Sequence, residues 1–140
     1  MRATILGLAL LLSACASPPA SPVDPLYRDL GERPGITRIV EGMLLNVAGD
    51  PRIVAHFRNV NIDLLRDHLV DKLSCDAGGP CHYTGDDMPE AHKGQNISRS
   101  EFNALVENLI QSMDAQQVPV PTQNRLLARL AKQRGEIIGK

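Results

Sequence analysis

The chain has no tryptophan and only two phenylalanines and two tyrosines in 140 residues. Aromatic side chains favour strands, and here the apolar content is mostly Leu, Ile, Val and Ala, so the composition leans helical. Charge of one sign is also missing. The formal net charge is -1, which argues against the clustered basic face of a nucleic-acid binder. The main apolar run, Ala3 to Leu12, falls well short of the about 20 residues that a permanent membrane helix needs. There is no internal repeat, no glycine loop of the kind that cradles phosphate, and no Ser/His/Asp arrangement with a strained nucleophile turn. Cys-x-x-Cys-His, the signature of covalent haem attachment, is absent too. What remains is long enough for one domain with a core of its own.

The N-terminus reads as a processing segment. Met1-Arg2, a short apolar stretch and then Ser13-Ala14-Cys15 describe an export signal over residues 1–14. Leu12-Ser13-Ala14-Cys15 resembles the bacterial lipobox, so Cys15 is the expected lipidation site and the membrane the expected partner of the lipid anchor. The alternative is an ordinary signal with an incidental cysteine. Because no Asp follows Cys15, the lipobox resemblance implies outer-membrane sorting with the domain facing the periplasm. Residues 15–24, rich in Pro, Ser and Ala, form an expected tether, and the folded domain is expected over 25–140. Export implies an oxidising compartment. Once Cys15 is set aside, Cys75 and Cys81 are an even pair, and a disulfide between them is expected. A metal site of Cys75, Cys81 and His82, or two free thiols, are the competing readings. The spacing is not a standard zinc pattern.

Hydrophobic periodicity places the helices. Ile36, Ile39, Val40, Met43, Leu44 and Val47 form one stripe on a helix over about 34–48, which Gly49-Asp50-Pro51 stops. A short helical turn is expected over 52–57. A second stripe, Ile62, Leu65, Leu69 and Leu73, predicts a helix over 62–74. Gly78-Gly79-Pro80 then breaks the chain, and 81–96 reads as loop with one helical turn at 89–92. Ser98 and Glu101 form a capping-box pattern. The helix they open carries Phe102, Leu105, Val106, Leu109, Ile110 and Met113 on one face. A last helix is expected over 122–135, with Leu126, Leu127, Leu130 and Ala131 inward. The expected fold class is all-α.

Four histidines are candidates for chemistry. His56 and His82 read as solvent-exposed. His92 lies in an irregular Met88-Pro89-Glu90-Ala91-His92-Lys93-Gly94 segment just before a capped amphipathic helix. That placement suits an axial haem ligand over an apolar crevice between helices, although a lone His is more often surface or satisfied core. His68 sits at the edge of the apolar stripe of its helix and so can point inward. Met88 reads as a wall residue rather than a second ligand.

These segments together, from Leu26 to about Leu130, resemble the truncated haemoglobins of group 1, short globins with a two-over-two helical sandwich. Leu26-Tyr27-Arg28-Asp29-Leu30-Gly31 is similar to the opening segment of that family. Asp50 to Phe57 resembles its acidic turn and the Phe that wedges against haem. Gly78-Gly79-Pro80 with Tyr83-Thr84-Gly85 resembles the glycine turn and aromatic after the distal helix. Met88 to His92, with Ile97 and Phe102, resembles the proximal stretch. The resemblance implies haem as cofactor, non-covalent b type given the missing attachment motif, with His92 as the iron ligand. It implies a pocket of Leu44, Phe57, Leu65, Leu69, Tyr83, Met88, Ile97, Phe102 and Leu105. It implies a diatomic gas ligand as well: oxygen, nitric oxide or carbon monoxide. Some members carry a His at the position of His68 that binds iron as a sixth ligand; the alternative is a His at the haem edge bonded to a propionate or water. Leu44 and Leu69 stand where the family typically has Tyr and Gln, so the nitric oxide dioxygenation associated with Tyr-bearing members is not implied. A bis-histidyl redox protein with an unidentified electron donor is the second function class. A helical interaction module without haem is the third.

Overall fold

A computed structural model describes residues 22–140. The expected signal over 1–14, the lipidation site Cys15 and most of the tether over 15–24 lie outside the described residues. Among the described residues every regular element is helical. The elements are α1 (Pro25–Asp29), α2 (Glu32–Ala48), a 3-10 turn (Val54–Phe57), α3 (Ile62–Asp76), α4 (Met88–Ala91), α5 (Arg99–Ala115), α6 (Val120–Ala131) and α7 (Arg134–Ile137). Among the described residues no helix is long and apolar enough to cross a membrane.

Local chemistry accounts for the helix starts. Asp24 caps α1 by accepting the Leu26 amide at 2.8 Å, with Pro25 as the first helical residue, a position proline tolerates because its missing N–H would be unsatisfied there anyway. Asn61 caps α3 through the Leu64 amide. The expected capping box at α5 is formed: the Ser98 hydroxyl accepts the Glu101 amide and Glu101 accepts the Ser98 amide.

The helices stack in two layers. α2 packs on α3 and crosses α5, and α3 meets α6. The buried stripe of α2 (Ile36, Ile39, Val40, Met43, Val47) meets Ala104, Leu109 and Met113 of α5 and Val70 and Leu73 of α3 in one core. Where α2 crosses α5 the backbones come close at Gly42. The buried Ser112 hydroxyl donates to the Ile39 carbonyl at 2.6 Å, and a Cβ on Gly42 would lie 2.3 Å from that oxygen.

Three boundaries differ from the sequence expectation. The 52–57 turn is 3-10 and starts at Val54, because Asp50 first closes an Asx-type turn on the Arg52 amide. The single turn in 81–96 covers Met88–Ala91, so His92 caps that helix instead of lying inside it. The expected last helix is two pieces, α6 and the short α7, and Ala131 at the end of α6 is exposed rather than inward. The paired cysteines form the expected disulfide, Cys75–Cys81.

Candidate haem cavity

The two layers enclose a cavity of about 530 Å³, inside the about 300–1,000 Å³ range of small-molecule and cofactor sites. α3 supplies Leu65, His68 and Leu69, and α5 supplies Phe102 and Leu105. The 3-10 turn contributes Phe57, and the segment around α4 contributes Tyr83, Met88, His92 and Ile97. Every pocket residue expected from the sequence is therefore present except one. Leu44 is not in the wall; its neighbour Met43 is. Successive helical residues point about 100° apart. Met43 lies on the buried stripe, so Leu44 is turned to its flank, half-buried and packed against the core cluster.

His92 and His68 stand in the same cavity wall lining, from different elements. The His92 ring is tied by Nδ1, which lies 2.8 Å from the Met88 carbonyl. A carbonyl only accepts, so Nδ1 carries the proton and Nε2 is left with its lone pair, the form in which imidazole binds a metal. α4 makes this possible: Asp87 caps it through the Glu90 amide, and its one turn brings the Met88 carbonyl under the ring of His92. His68 has no hydrogen-bonded partner among the described residues; its ring meets the edge of Tyr83, with centroids 6.2 Å apart and planes at 81°.

The cavity also has polar members that sequence reasoning missed. His56, expected to be exposed, is three-quarters covered and pairs through Nε2 with Glu101 Oε1 at 2.9 Å. The Glu101 carboxyl is held down at about 2, first by the Ser98 hydroxyl, then by the Ser98 amide and His56. Its place beside Phe57 was the available signal; the partner 45 residues away was not. Lys72 lines the wall too, with its ammonium held by Asp76 at 2.7 Å and Gln133 at 2.9 Å. Ile137 closes the wall from α7, where Asn96 donates to the Lys140 carbonyl and Gly139 to that of Ile97. His82 is exposed, as expected.

The residues present fit a haem. The lining is dominated by Leu, Ile, Met and Phe, as a porphyrin face requires. Of the imidazoles in the wall, that of His92 has Nδ1 fixed and Nε2 free. Among the described residues no group of three or more His, Cys, Asp and Glu side chains could cage a bare metal ion, whereas an iron that brings its own equatorial nitrogens needs only one or two side chains.

Two layers of helices around an apolar cavity with one oriented imidazole define a globin. The sequence model of the bacterial-like globin family matches residues 25–138, and the chain belongs to that family, among the group 1 truncated haemoglobins. A group 1 truncated hemoglobin of Tetrahymena pyriformis is 30% identical over 115 residues, covering 82% of this chain and 95% of that protein. The solved Fe(III) form of the truncated hemoglobin from the same organism superposes with a TM-score of 0.80 over 82% of this chain and 98% of that one. The 2/2 hemoglobin of Synechococcus sp. PCC 7002, solved with covalently attached heme, shares the fold at 22% identity, with a TM-score of 0.76 over 81% and 97% of the two chains. The chain is thus a haem-binding globin with the two-over-two fold.

Proposed function

We propose that this globin holds a non-covalent b-type haem through His92 and binds oxygen, nitric oxide or carbon monoxide in the half of the cavity faced by His68. The observation that carries this reading is the His92 ring, whose Nδ1 is fixed on the Met88 carbonyl so that Nε2 is free within an apolar cavity. The haem, when bound, supplies an iron that takes up a diatomic gas or passes one electron.

The chain's own residues do the rest. Met88 and His92 set the tautomer and aim of the imidazole. Phe57, Phe102, Leu65, Leu69 and Leu105 exclude water and leave no polar donor on their faces. His68, in the same cavity wall, is the remaining candidate, and two roles follow from its chemistry. As a hydrogen-bond donor it steadies the partial negative charge of a bound gas. As a second iron ligand it would compete with the gas, and the protein would then serve as a bis-histidyl electron carrier with a donor still to be identified. The second role is favoured by one observation: among the described residues His68 makes no hydrogen bond that would hold its ring away from the cavity, and its ring meets the Tyr83 edge. The lipoprotein reading of Cys15 belongs to this proposal also, and places the domain on the periplasmic side of the outer membrane.

The test is an absorption spectrum of the haem-loaded protein, oxidised and reduced, without gas. A low-spin six-coordinate spectrum that becomes high-spin in His68→Leu is expected. A high-spin spectrum unaffected by His68→Leu would remove His68 from the iron and leave the gas-binding role.

A further inference from the structure

The Cys75–Cys81 disulfide constrains the unfolded chain less than a long-range bridge would. It closes a loop of six residues in sequence separation, and the unfolded-state entropy that a cross-link removes grows with loop length. Its effect is local, and the local structure shows on what. The turn inside that loop is firmly held: the Gly78 carbonyl accepts from the Asp24 amide at 3.2 Å, the Gly79 amide donates to the Ser74 carbonyl at 2.9 Å, and Gly79 lies close against the Tyr27 ring. The segment after it is held again at Asp87, which caps α4. Between these anchors, residues 80–86 make no hydrogen bond to any other element among the described residues. The only one they make is internal, from the Tyr83 hydroxyl to the Asp86 carbonyl at 2.6 Å. Yet Tyr83, Thr84, Gly85 and Asp86 line the haem cavity, and Tyr83 is the residue that touches His68. The disulfide and the Tyr83 packing are what keep this strap on the cavity.

We propose that Cys75–Cys81 is a reducible latch: bridged, it holds the strap 81–86 against the haem cavity, and reduced by a dithiol it lets the strap lift, so that haem is exchanged faster and Tyr83 leaves His68. The proposal rests on the haem-binding reading above. Cys81 is exposed, and accessible disulfides are the labile, regulatory ones. The step balances. A thiolate of the dithiol attacks Cys81 Sγ, the Sγ–Sγ bond breaks and Cys75 leaves as thiolate. The donor's second thiolate then displaces Cys81, the donor ends as a disulfide, and two electrons pass to the protein, whose thiolates take protons from water.

The test compares the wild-type chain with Cys75→Ser/Cys81→Ser, and wild-type with and without dithiothreitol. Two rates are read: chymotryptic cleavage after Tyr83 on haem-free protein, and transfer of ferric haem from the loaded variant to an excess of apomyoglobin. Far-UV circular dichroism checks that the variant folds, and reduced wild-type serves in its place if it does not. Cleavage is expected to rise about tenfold on breaking the bridge, as a tethered segment becomes a free loop, and haem loss to rise with it. Equal rates with and without the bridge would overturn the proposal. So would faster cleavage with unchanged haem loss, since the strap would then lift without opening the cavity. If the protein took up no haem at all, the haem reading would fail, and the cleavage arm would still decide whether the bridge latches the strap.

Discussion

The crossing of α2 on α5 sets the distance between Met43 and Leu105, two walls of the haem cavity, and Gly42→Ala tests that crossing. The added Cβ would sit 2.3 Å from Ser112 Oγ and 3.3 Å from Ser112 Cβ. Ser112 is buried and its hydroxyl already donates to the Ile39 carbonyl. Something must give: either the helices part, at an overpacking cost of about 1–3 kcal/mol, or the hydroxyl turns away and is left unsatisfied, at about 1–3 kcal/mol. Alanine returns about 0.8–1.0 kcal/mol of helix propensity relative to glycine. The net expectation is a loss centred on about 1 kcal/mol, within about 0–2, or roughly 3–6 °C in the unfolding midpoint for a domain of this size. In a Ser112→Ala background the oxygen is gone and the remaining 3.3 Å contact is merely tight, so the same Gly42→Ala change should cost close to nothing. The coupling between the two changes should therefore be about 1 kcal/mol. Thermal and urea unfolding followed at 222 nm on all four haem-free proteins gives the cycle. An equal cost of Gly42→Ala in both backgrounds would refute the close crossing.

Other outcomes follow from the same geometry. Cys75 and Cys81 should resist iodoacetamide until reduced, and rapid labelling of both in native protein would contradict the bridge. The depressed Glu101 carboxyl stabilises the fold above its ordinary value near 4.5, and that contribution drains away as pH falls toward about 2. The acid limb of the urea midpoint should accordingly flatten in Glu101→Gln; an unchanged limb would show that the Ser98 and His56 contacts carry no stability. His56→Leu should raise the acidity midpoint of that limb slightly and leave the capping box intact, measurable in the same titration, and no change would remove His56 from the pair.

Much of the fold was legible because local signals and the apolar stripes agreed. Ser98 with Glu101 and the Gly49-Asp50-Pro51 stop each act within a few residues of themselves, and the helices begin and end close to them. α1 carried an equally local signal, Asp24-Pro25, but is too short to show a periodicity. The site was legible where its residues lie on a stripe or in a recognisable segment: Phe57, Leu65, His68, Leu69, Tyr83, Met88, His92, Ile97, Phe102 and Leu105 are all in the wall. Leu44 was misplaced because position in a family pattern does not fix which of two adjacent helical residues turns inward. His56, Lys72 and Ile137 were invisible because their place in the cavity depends on partners 45 to 61 residues away or on α7 folding back on the loop after His92.

The central claim is that His92 carries the haem iron. It is tested most directly by titrating haem into the wild-type chain and into His92→Gly, with free imidazole added back, and recording the absorption spectrum of each. The account predicts a sharp one-to-one spectral change in the wild type, its loss or distortion in His92→Gly, and its recovery with imidazole, because Nε2 is the oriented donor in the cavity. An unchanged wild-type spectrum in His92→Gly without imidazole would contradict it.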